Sequence, residues 1–285
     1  MAQRLVEWLG HGACWARSVG LGQALTKVRD KLDHALMGLA MPPLRVACCG
    51  NVLRGYLRHR SFLASLQGEQ YEHFMRELLL NCIKPGMVVV DGGAHIGLYS
   101  ILLDRALGGS GVVLAFEPDP HNFRALRANV EANRCRSVVL NNLALSNKTG
   151  AETFYQSSGT IGSSLTPRHG IGPTMRTMVN TTTLDDALAH IPISDLLIKL
   201  DLEGAEPLAL KGMGQTFDRS RSIVLFCELN PGALADGGFR PDDLIDTLRH
   251  HRFDVRFIEE AARELRPITE VSPNSKGNLF CLRRV

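Results

Sequence analysis

The sequence predicts an α/β fold in which a mostly parallel, doubly wound sheet carries helices on both faces. Apolar runs of strand length alternate with segments of helical periodicity along residues 69–285, which is the pattern of βαβ units. A glycine-rich turn links the first run to an amphipathic helix. Acidic residues follow several runs directly, and the carboxyl ends of parallel strands border one crevice in such a sheet.

The individual elements follow from these patterns in chain order. The apolar runs that predict buried strands lie at 87–90, 112–116, 138–142, 196–200 and 223–227. Further elements are helices at 71–81 and 241–250 and closing strands at 253–258 and 279–282. Asp119 and Pro120 are predicted as the N-cap and first residue of another helix, because both residue types favour these positions.

The region 150–182 interrupts this alternation. It is rich in Ser, Thr and Gly and has little helical periodicity. Its segments 153–155 and 176–182 predict a hairpin inserted after the third strand. An insertion of this length within a compact domain is usually functional.

Residues 1–68 are predicted to form an N-terminal helical extension, or cap, on a domain that spans 69–285. Leucine and valine residues recur at helical spacing between positions 21 and 39, and Pro42 and Pro43 end the helix. The opposite face carries charges of both signs, which favours packing on the protein's own domain. The alternatives are a membrane-surface helix and a contact within a homodimer.

Composition restricts the class of protein. The net charge of +3 is small and no basic stripe is present, so nucleic acid is not an expected partner. Seven cysteines without a C-x-x-C pair are typical of a reducing compartment. No segment has the apolar length of a transmembrane span and no secretory signal is recognisable, so a cytoplasmic protein is expected.

The turn at 91–97 predicts a site for a cofactor that contains adenosine. Its glycines let the backbone approach a ligand closely, and Glu117, at the end of the next strand, is suited to bind a ribose diol. The spacing also fits a degenerate dinucleotide fingerprint, in which an acid lies about 20 residues beyond the turn. Asp91 favours S-adenosylmethionine over a dinucleotide, because a pyrophosphate would bring negative charge to this acid.

Four ordered motifs resemble the FkbM-type group of class I S-adenosylmethionine-dependent methyltransferases. They are Asp91-Gly92-Gly93-Ala94-His95-Ile96-Gly97, Phe116-Glu117-Pro118, Asn142-Leu143-Ala144-Leu145-Ser146 and Lys199-Leu200-Asp201-Leu202-Glu203-Gly204-Ala205-Glu206. His95 stands where the wider class has the middle glycine, a departure that is similar to the FkbM pattern. The resemblance covers roughly residues 71–285.

This resemblance implies a Rossmann-like, seven-stranded sheet of the class I methyltransferase type. It also implies S-adenosylmethionine as cofactor and an O-methylated hydroxyl on a small molecule, sugar or glycan as product. The cofactor residues expected from it are Asp91, Gly93, Ala94, His95, Gly97, Glu117, Pro118, Asn142 and Ala144. Asn142 has an equally good structural interpretation, because asparagine commonly forms the turn that ends a strand.

Three mechanisms for removing the acceptor proton remain open. Asp201 or Glu203 is a general base in the first, and His95 is the base in the third. In the second, which is not favoured, Asp201, Glu228 and Asn230 bind a divalent cation such as Mg²⁺ that lowers the pKa of the acceptor hydroxyl.

Two other classes of function use the same residues differently. An NAD(P)-dependent oxidoreductase would bind its cofactor at the same turn, although no Ser/Tyr-x-x-x-Lys constellation for hydride transfer follows it. A catalytically silent binding domain would keep the fold but would not need acids at the ends of both 196–200 and 223–227.

Overall fold

The computed structural model describes residues 44–68, 70–157, 162–167, 169, 174–272 and 274–284. Its strands are β1 (Leu44–Cys48), β2 (Asn51–Gly55), β3 (Val88–Gly92), β4 (Val112–Phe116), β5 (Val138–Asn141), β6 (Ala144–Leu145), β7 (Gly150–Ser157), β8 (Thr174–Thr182), β9 (Asp195–Leu200), β10 (Ser222–Leu229), β11 (Asp254–Glu259), β12 (Glu264–Pro267) and β13 (Gly277–Arg284). Its helices are α1 (Arg60–Ser65), α2 (His73–Asn81), α3 (Leu98–Leu107), α4 (Pro120–Ala132), α5 (Leu184–Ala187), α6 (Glu206–Lys211), α7 (Gly214–Arg219), α8 (Pro231–Asp236) and α9 (Pro241–His250), with 3-10 turns at Leu57–His59 and Ile268–Glu270.

The main sheet is mostly parallel, as the alternation of strands and helices predicts. Its order is β12-β11-β13-β10-β9-β3-β4-β5. The strands β10, β9, β3, β4 and β5 pair in parallel, and β13 is antiparallel to both of its neighbours. The sheet has eight strands and not the predicted seven, because β12 pairs antiparallel with β11 and adds an edge strand. The short polar segment Glu-Leu-Arg-Pro has no apolar run that would have signalled a strand.

The central strands are buried on both faces. Val88 and Val90 face one hydrophobic cluster together with Ile198, whereas Val89 faces a second cluster with Leu197. This division follows from the alternation of side chains along a strand. It explains why these strands have continuous apolar runs in the sequence.

The described part of the N-terminal extension begins as a β-hairpin. The prediction of a helical extension therefore fails at residues 44–55, while the helical pattern at positions 21–39 lies outside the described residues. β1 and β2 pair antiparallel around Cys49 and Gly50, both of which have positive φ, as tight hairpin turns require. The domain boundary near residue 68 stays a prediction.

A second, smaller sheet follows β5. β7 and β8 pair antiparallel, and the short strand β6 pairs in parallel with β8. This small sheet contains both segments from which the sequence predicts an inserted hairpin. Within the described residues, no helix combines the length and apolar character that a bilayer span requires.

Candidate active site

A pocket opens at the carboxyl ends of β3, β4 and β9. Eight of the residues predicted for the site line it: Gly93, Ala94, His95, Glu117, Pro118, Ala144, Asp201 and Glu203. Phe62, Tyr71, Tyr99 and Lys199 line it as well. Since strands of a parallel sheet end at one edge, residues far apart in sequence meet here.

Two glycines of the turn after β3 occupy positions where a side chain would not fit. Gly93 has a φ of +75°, and a Cβ there would overlap the carbonyl oxygen of Asp201. Gly97 has a φ of +96°, and a Cβ would lie 2.7 Å from Cδ1 of Leu126. Gly97 therefore lets α3 pack closely against α4 and does not itself line the pocket.

The N–H groups of this turn are donated within the protein. Those of Gly93 and Ala94 both donate to the carbonyl oxygen of Phe116, at 3.0 and 2.9 Å. The N–H of His95 donates to Oε2 of Glu117 at 2.8 Å, and that of Gly97 donates to the carbonyl of Ala94. A carboxylate thus occupies the position where a phosphate-binding turn would present free N–H groups.

Glu117 is held rigidly at the end of β4. Its second carboxylate oxygen, Oε1, accepts the N–H of Asp119 at 2.9 Å. Burial, reinforced by the charge of Asp119, raises the pKa of Glu117 to about 8. The Asn122 side chain is a further hydrogen-bond partner of this carboxyl group, so at least three protein groups hold it in place.

Asn142 stabilises the turn that carries Glu117. Its Nδ2 donates to the carbonyl oxygens of Glu117 and Pro118, at 2.7 and 3.1 Å. The side chain is exposed and lies outside the residues that line the pocket. This geometry corresponds to the turn-forming interpretation of Asn142.

His95 lies between aromatic rings at the wall of the pocket. Its ring is edge-on to Phe62 at 4.7 Å and to His59 at 5.6 Å between centroids. Burial, together with the charges of His59 and Arg58, lowers the pKa of His95 to about 3. The imidazole is therefore neutral at physiological pH, and its buried Nε2 has no hydrogen-bond partner among the described residues.

Lys199 and Asp91 form a buried ion pair beneath the pocket. Asp91 is fully buried, accepts the Ser100 hydroxyl at 2.5 Å and does not line the pocket. Nζ of Lys199 lies 3.9 Å from Asp91 and 3.4 Å from Asp201, and 4.8 Å from the centre of the Tyr99 ring. Burial would lower the pKa of Lys199, but the nearby carboxylates outweigh it and raise the pKa, so the ammonium stays charged.

Two tyrosines that lie outside the predicted motifs, Tyr71 and Tyr99, also line the pocket. The Tyr99 hydroxyl donates to Glu72 at 2.5 Å, and Asn278 donates to the other oxygen of Glu72 at 3.0 Å. Tyr71 packs edge-on against Phe62. Burial and the charges of Glu72 and Asp201 raise the pKa of Tyr71 well above its usual value, so its phenol stays protonated.

The acids after β9 have different environments. The side chain of Asp201 is 30% exposed and faces the pocket. Glu203 has a positive φ of 53° and accepts the N–H of Gly162 at 3.0 Å. Glu206 is buried and accepts the N–H groups of Leu202 and Gly204, so it stabilises the turn before α6.

Glu228 and Asn230 are not arranged as ligands of a cation. Asn230 caps α8, with Oδ1 accepting the N–H of Ala233 at 3.2 Å, and its Nδ2 points to Glu228 at 3.3 Å. The amide oxygen that would bind a metal is therefore occupied. Nowhere in the described ranges do three His, Cys, Asp or Glu residues come together as a metal-binding group, so the predicted Mg²⁺ set of Asp201, Glu228 and Asn230 is not supported.

Asp119 connects three elements around the Glu117 end of the pocket. Its carboxylate caps α4 by accepting the N–H groups of His121 and Asn122, as predicted. It also accepts Gln156 of β7 at 2.6 Å and Arg58 at 3.1 Å. No local sequence signal predicts the contacts of Gln156 and Arg58, because they join positions separated by 37 and 61 residues.

Comparison with known proteins gives one family. A family model described as "Methyltransferase FkbM domain" matches residues 91–255. The 31-O-demethyl-FK506 methyltransferase FkbM of Streptomyces tacrolimicus is 28% identical over 204 residues, which cover 61% of this chain and 75% of that protein. The family match contains Glu117, Lys199 and Asp201, whereas Phe62 and Tyr71 precede it.

Solved structures with a related fold are more distant. TYW2 of M. jannaschii, in complex with AdoMet, is 14% identical with a TM-score of 0.44, covering 85% of this chain and 87% of that chain. Precorrin-6y C5,15-methyltransferase of Geobacter metallireducens is 13% identical with a TM-score of 0.43, covering 74% and 87%. These two structures do not indicate a function for this chain, because both TM-scores are below 0.5.

Proposed function

This chain belongs to the FkbM methyltransferase family, and we propose that it transfers the methyl group of S-adenosylmethionine to a hydroxyl of a small molecule, sugar or glycan. The name of the relative from Streptomyces tacrolimicus gives an O-demethylated compound as its substrate, which supports oxygen as the methyl acceptor. The pocket at the ends of β3, β4 and β9 is the proposed site of transfer.

The hydrogen bond from the His95 N–H to Glu117 is the observation that favours S-adenosylmethionine over a dinucleotide. The N–H groups of Gly93, Ala94, His95 and Gly97 are donated within the protein, and that of His95 binds Glu117. A dinucleotide would therefore find these donors already used and would place its pyrophosphate against the Glu117 oxygens. S-Adenosylmethionine instead carries a sulfonium and an ammonium and brings no phosphate to this turn.

The residues present fit this cofactor. Glu117 lines the pocket and suits a hydrogen bond with a ribose hydroxyl, while Pro118 and Ala144 offer apolar surface beside it. The buried Nε2 of His95 has no partner among the described residues and is available to a polar group of the ligand. When bound, the cofactor supplies a methyl carbon activated by the adjacent sulfonium.

Asp201 is the proposed general base for the acceptor hydroxyl. Methyl transfer is an in-line displacement, so the protein must mainly align the acceptor oxygen and take its proton. Asp201 is partly exposed in the pocket and is held on one side by Lys199. His95 is a poor candidate, because a pKa of about 3 makes its imidazole a weak base near neutral pH.

Ligand binding to the purified protein tests this proposal. We expect S-adenosylmethionine and S-adenosylhomocysteine to raise the melting temperature and NAD to leave it unchanged. A ligand at about 100 times its Kd adds about 2.7 kcal/mol to the free energy of unfolding, which is measurable by thermal denaturation. Stabilisation by NAD alone would identify an oxidoreductase, and no shift with any of these ligands would indicate a binding domain.

A further inference from the structure

The pocket contains one cation among several acids. Of the described residues that line it, Lys199 is the only lysine or arginine, whereas Glu117, Asp201 and Glu203 are acids. The side chain of Lys199 is only 3% exposed. A charged group buried to this extent requires compensating partners, and this one lies at the surface of a ligand pocket.

Lys199 and Glu117 lie on opposite sides of β3. Lys199 on β9 is paired in register with Asp91 on β3, and Glu117 follows β4, the neighbour of β3 on the other side. A ligand whose ribose binds Glu117 therefore extends across the Gly93 turn toward Lys199. In S-adenosylmethionine the part farthest from the ribose is the amino acid, which carries the molecule's single carboxylate.

Among the described residues, the hydrogen bonds of Lys199 are incomplete. An ammonium has three donors, and charge-assisted bonds to carboxylates are typically about 2.7–2.9 Å long. The distances from Nζ are 3.4 Å to Asp201 and 3.9 Å to Asp91. Oδ1 of Asp91 likewise has no hydrogen-bond partner in the described part of the chain. Asp91 and Asp201 thus balance the charge of Lys199 without using all of its donors.

We propose that Lys199 binds the carboxylate of the amino-acid moiety of S-adenosylmethionine and that Asp91 positions Lys199 for this contact. This proposal rests on the proposed function. It changes the role of Asp91: the acid does not meet a cationic ligand directly, because the Lys199 side chain, and not Asp91, lines the pocket.

Two ligands that differ in the amino-acid moiety test the assignment. S-Adenosylhomocysteine carries the carboxylate, whereas 5′-methylthioadenosine keeps the adenosine and thioether without the amino acid. Binding of both is measured by isothermal titration calorimetry. In Lys199→Met we expect the Kd for S-adenosylhomocysteine to rise about tenfold or more, as loss of a charge-assisted hydrogen bond implies, and the Kd for 5′-methylthioadenosine to change less than about threefold.

Two further variants control for folding and for charge. Lys211→Met makes the same substitution on the exposed end of α6 and is expected to bind both ligands like wild type. The double variant Asp91→Asn with Lys199→Met removes the buried pair together, so that no uncompensated carboxylate remains; it should show the same selective loss. Binding of 5′-methylthioadenosine confirms that a variant is folded.

The outcomes separate this proposal from the proposed function. Equal weakening of both ligands, or unchanged binding of S-adenosylhomocysteine, in the Lys199 variants would overturn the assignment while leaving the proposed function intact. A wild-type protein that binds both ligands equally well would also overturn it. If wild type binds neither ligand, the proposed function itself fails.

Discussion

Asp201 is the residue at which binding and turnover should separate. Asp201→Asn keeps an oxygen that can accept a hydrogen bond from Lys199 but removes the proton acceptor. We expect turnover to fall about 10²- to 10⁴-fold, the usual contribution of a general base, with the Kd for S-adenosylhomocysteine nearly unchanged. The measurement is transfer of radiolabelled methyl from S-adenosylmethionine to the low-molecular-weight fraction of a cell extract, with calorimetry for binding.

The control for this variant lies on the same strand. Asp195→Asn, at the opposite end of β9, removes an exposed contact with Arg221 and is expected to leave both properties unchanged. Normal turnover in Asp201→Asn would move the base to another residue of the pocket, and Glu203 would then be the next to test.

At the scale of residues, the sequence predicted acids better than their partners. Asp201 and Glu117 were found because an acid that ends an apolar strand is costly to bury without a role. Lys199 carries the same signal, because it is an ionisable residue in an apolar run. Phe62 and Tyr71 lie outside the four motifs, so nothing local in the sequence places them at the pocket.

At the scale of elements, the turn after β3 must approach the end of β9 closely. Gly93→Ala and Gly86→Ala both place a side chain at positive φ, at +75° and +81°. The Cβ at Gly93 would overlap the Asp201 carbonyl, whereas nothing lies within 4 Å of a Cβ at Gly86. Both variants should lose about 1 kcal/mol to backbone strain. We expect Gly93→Ala to lose more and also to weaken S-adenosylhomocysteine binding, as measured by urea denaturation and calorimetry. Equal losses in the two variants would mean that this approach is not tight.

Asn129 of α4 and Asn133, the residue that follows this helix, form hydrogen bonds with β2 as a neighbouring strand would. Asn129 accepts the N–H of Arg54 and donates to its carbonyl, both at 2.8 Å, and Asn133 makes the same pair with Val52 at 3.2 and 2.9 Å. Because residues four apart share a helix face and alternate residues share a strand face, the two sets of contacts match. The hairpin of β1 and β2 is thereby fixed to α4.

Asn129→Leu removes one of these pairs at similar volume. We expect faster hydrogen exchange at the amides of Val52 and Arg54, because the edge of β2 then depends on the Asn133 contacts alone, and a loss of about 1–3 kcal/mol from the unsatisfied backbone groups. Exchange is followed by mass spectrometry of peptides from residues 44–68. Asn180→Leu, on an exposed position of β8, is the control. Unchanged protection of β2 would show that these side chains do not hold it.

The elements that the sequence predicted well are those with a local signal. β4 and α9 have the predicted bounds, and β3, β9 and β10 differ by a few residues at their ends. The hairpin of β1 and β2 was missed because its stabilising partners, Asn129 and Asn133, lie 75 and 81 residues away. β12 was missed because an edge strand of four mostly polar residues has neither an apolar run nor alternation.

At the scale of the whole molecule, the fold buries titratable groups of opposite kinds. Burial raises the pKa of Glu117 and Glu206 to about 8. Burial also lowers the pKa of His59 to about 4 and that of His95 to about 3. As the pH rises, the glutamates lower the free energy of unfolding and the histidines raise it. The pH ranges over which the two effects act overlap only in part.

These shifts predict that the free energy of unfolding falls as the pH rises from about 6.5 to 8. Below pH 6.5 the two effects oppose each other. The glutamates are protonated in the folded protein but ionised in the unfolded chain, whereas the histidines are neutral in the folded protein but protonated in the unfolded chain. Above 6.5 the histidines are neutral in both states. The folded protein then binds more protons than the unfolded chain until pH 8, so stability decreases by about 1–3 kcal/mol per pH unit.

Urea denaturation at pH 6.5, 7.2 and 8.0 measures this slope. Glu206→Gln, which lies outside the pocket lining, should make this slope shallower than in wild type, since it removes one of the buried acids whose pKa is raised; burial also raises the pKa of Glu72 and Glu228. Stability that is constant or rises over this interval would mean that Glu117 and Glu206 are ionised throughout.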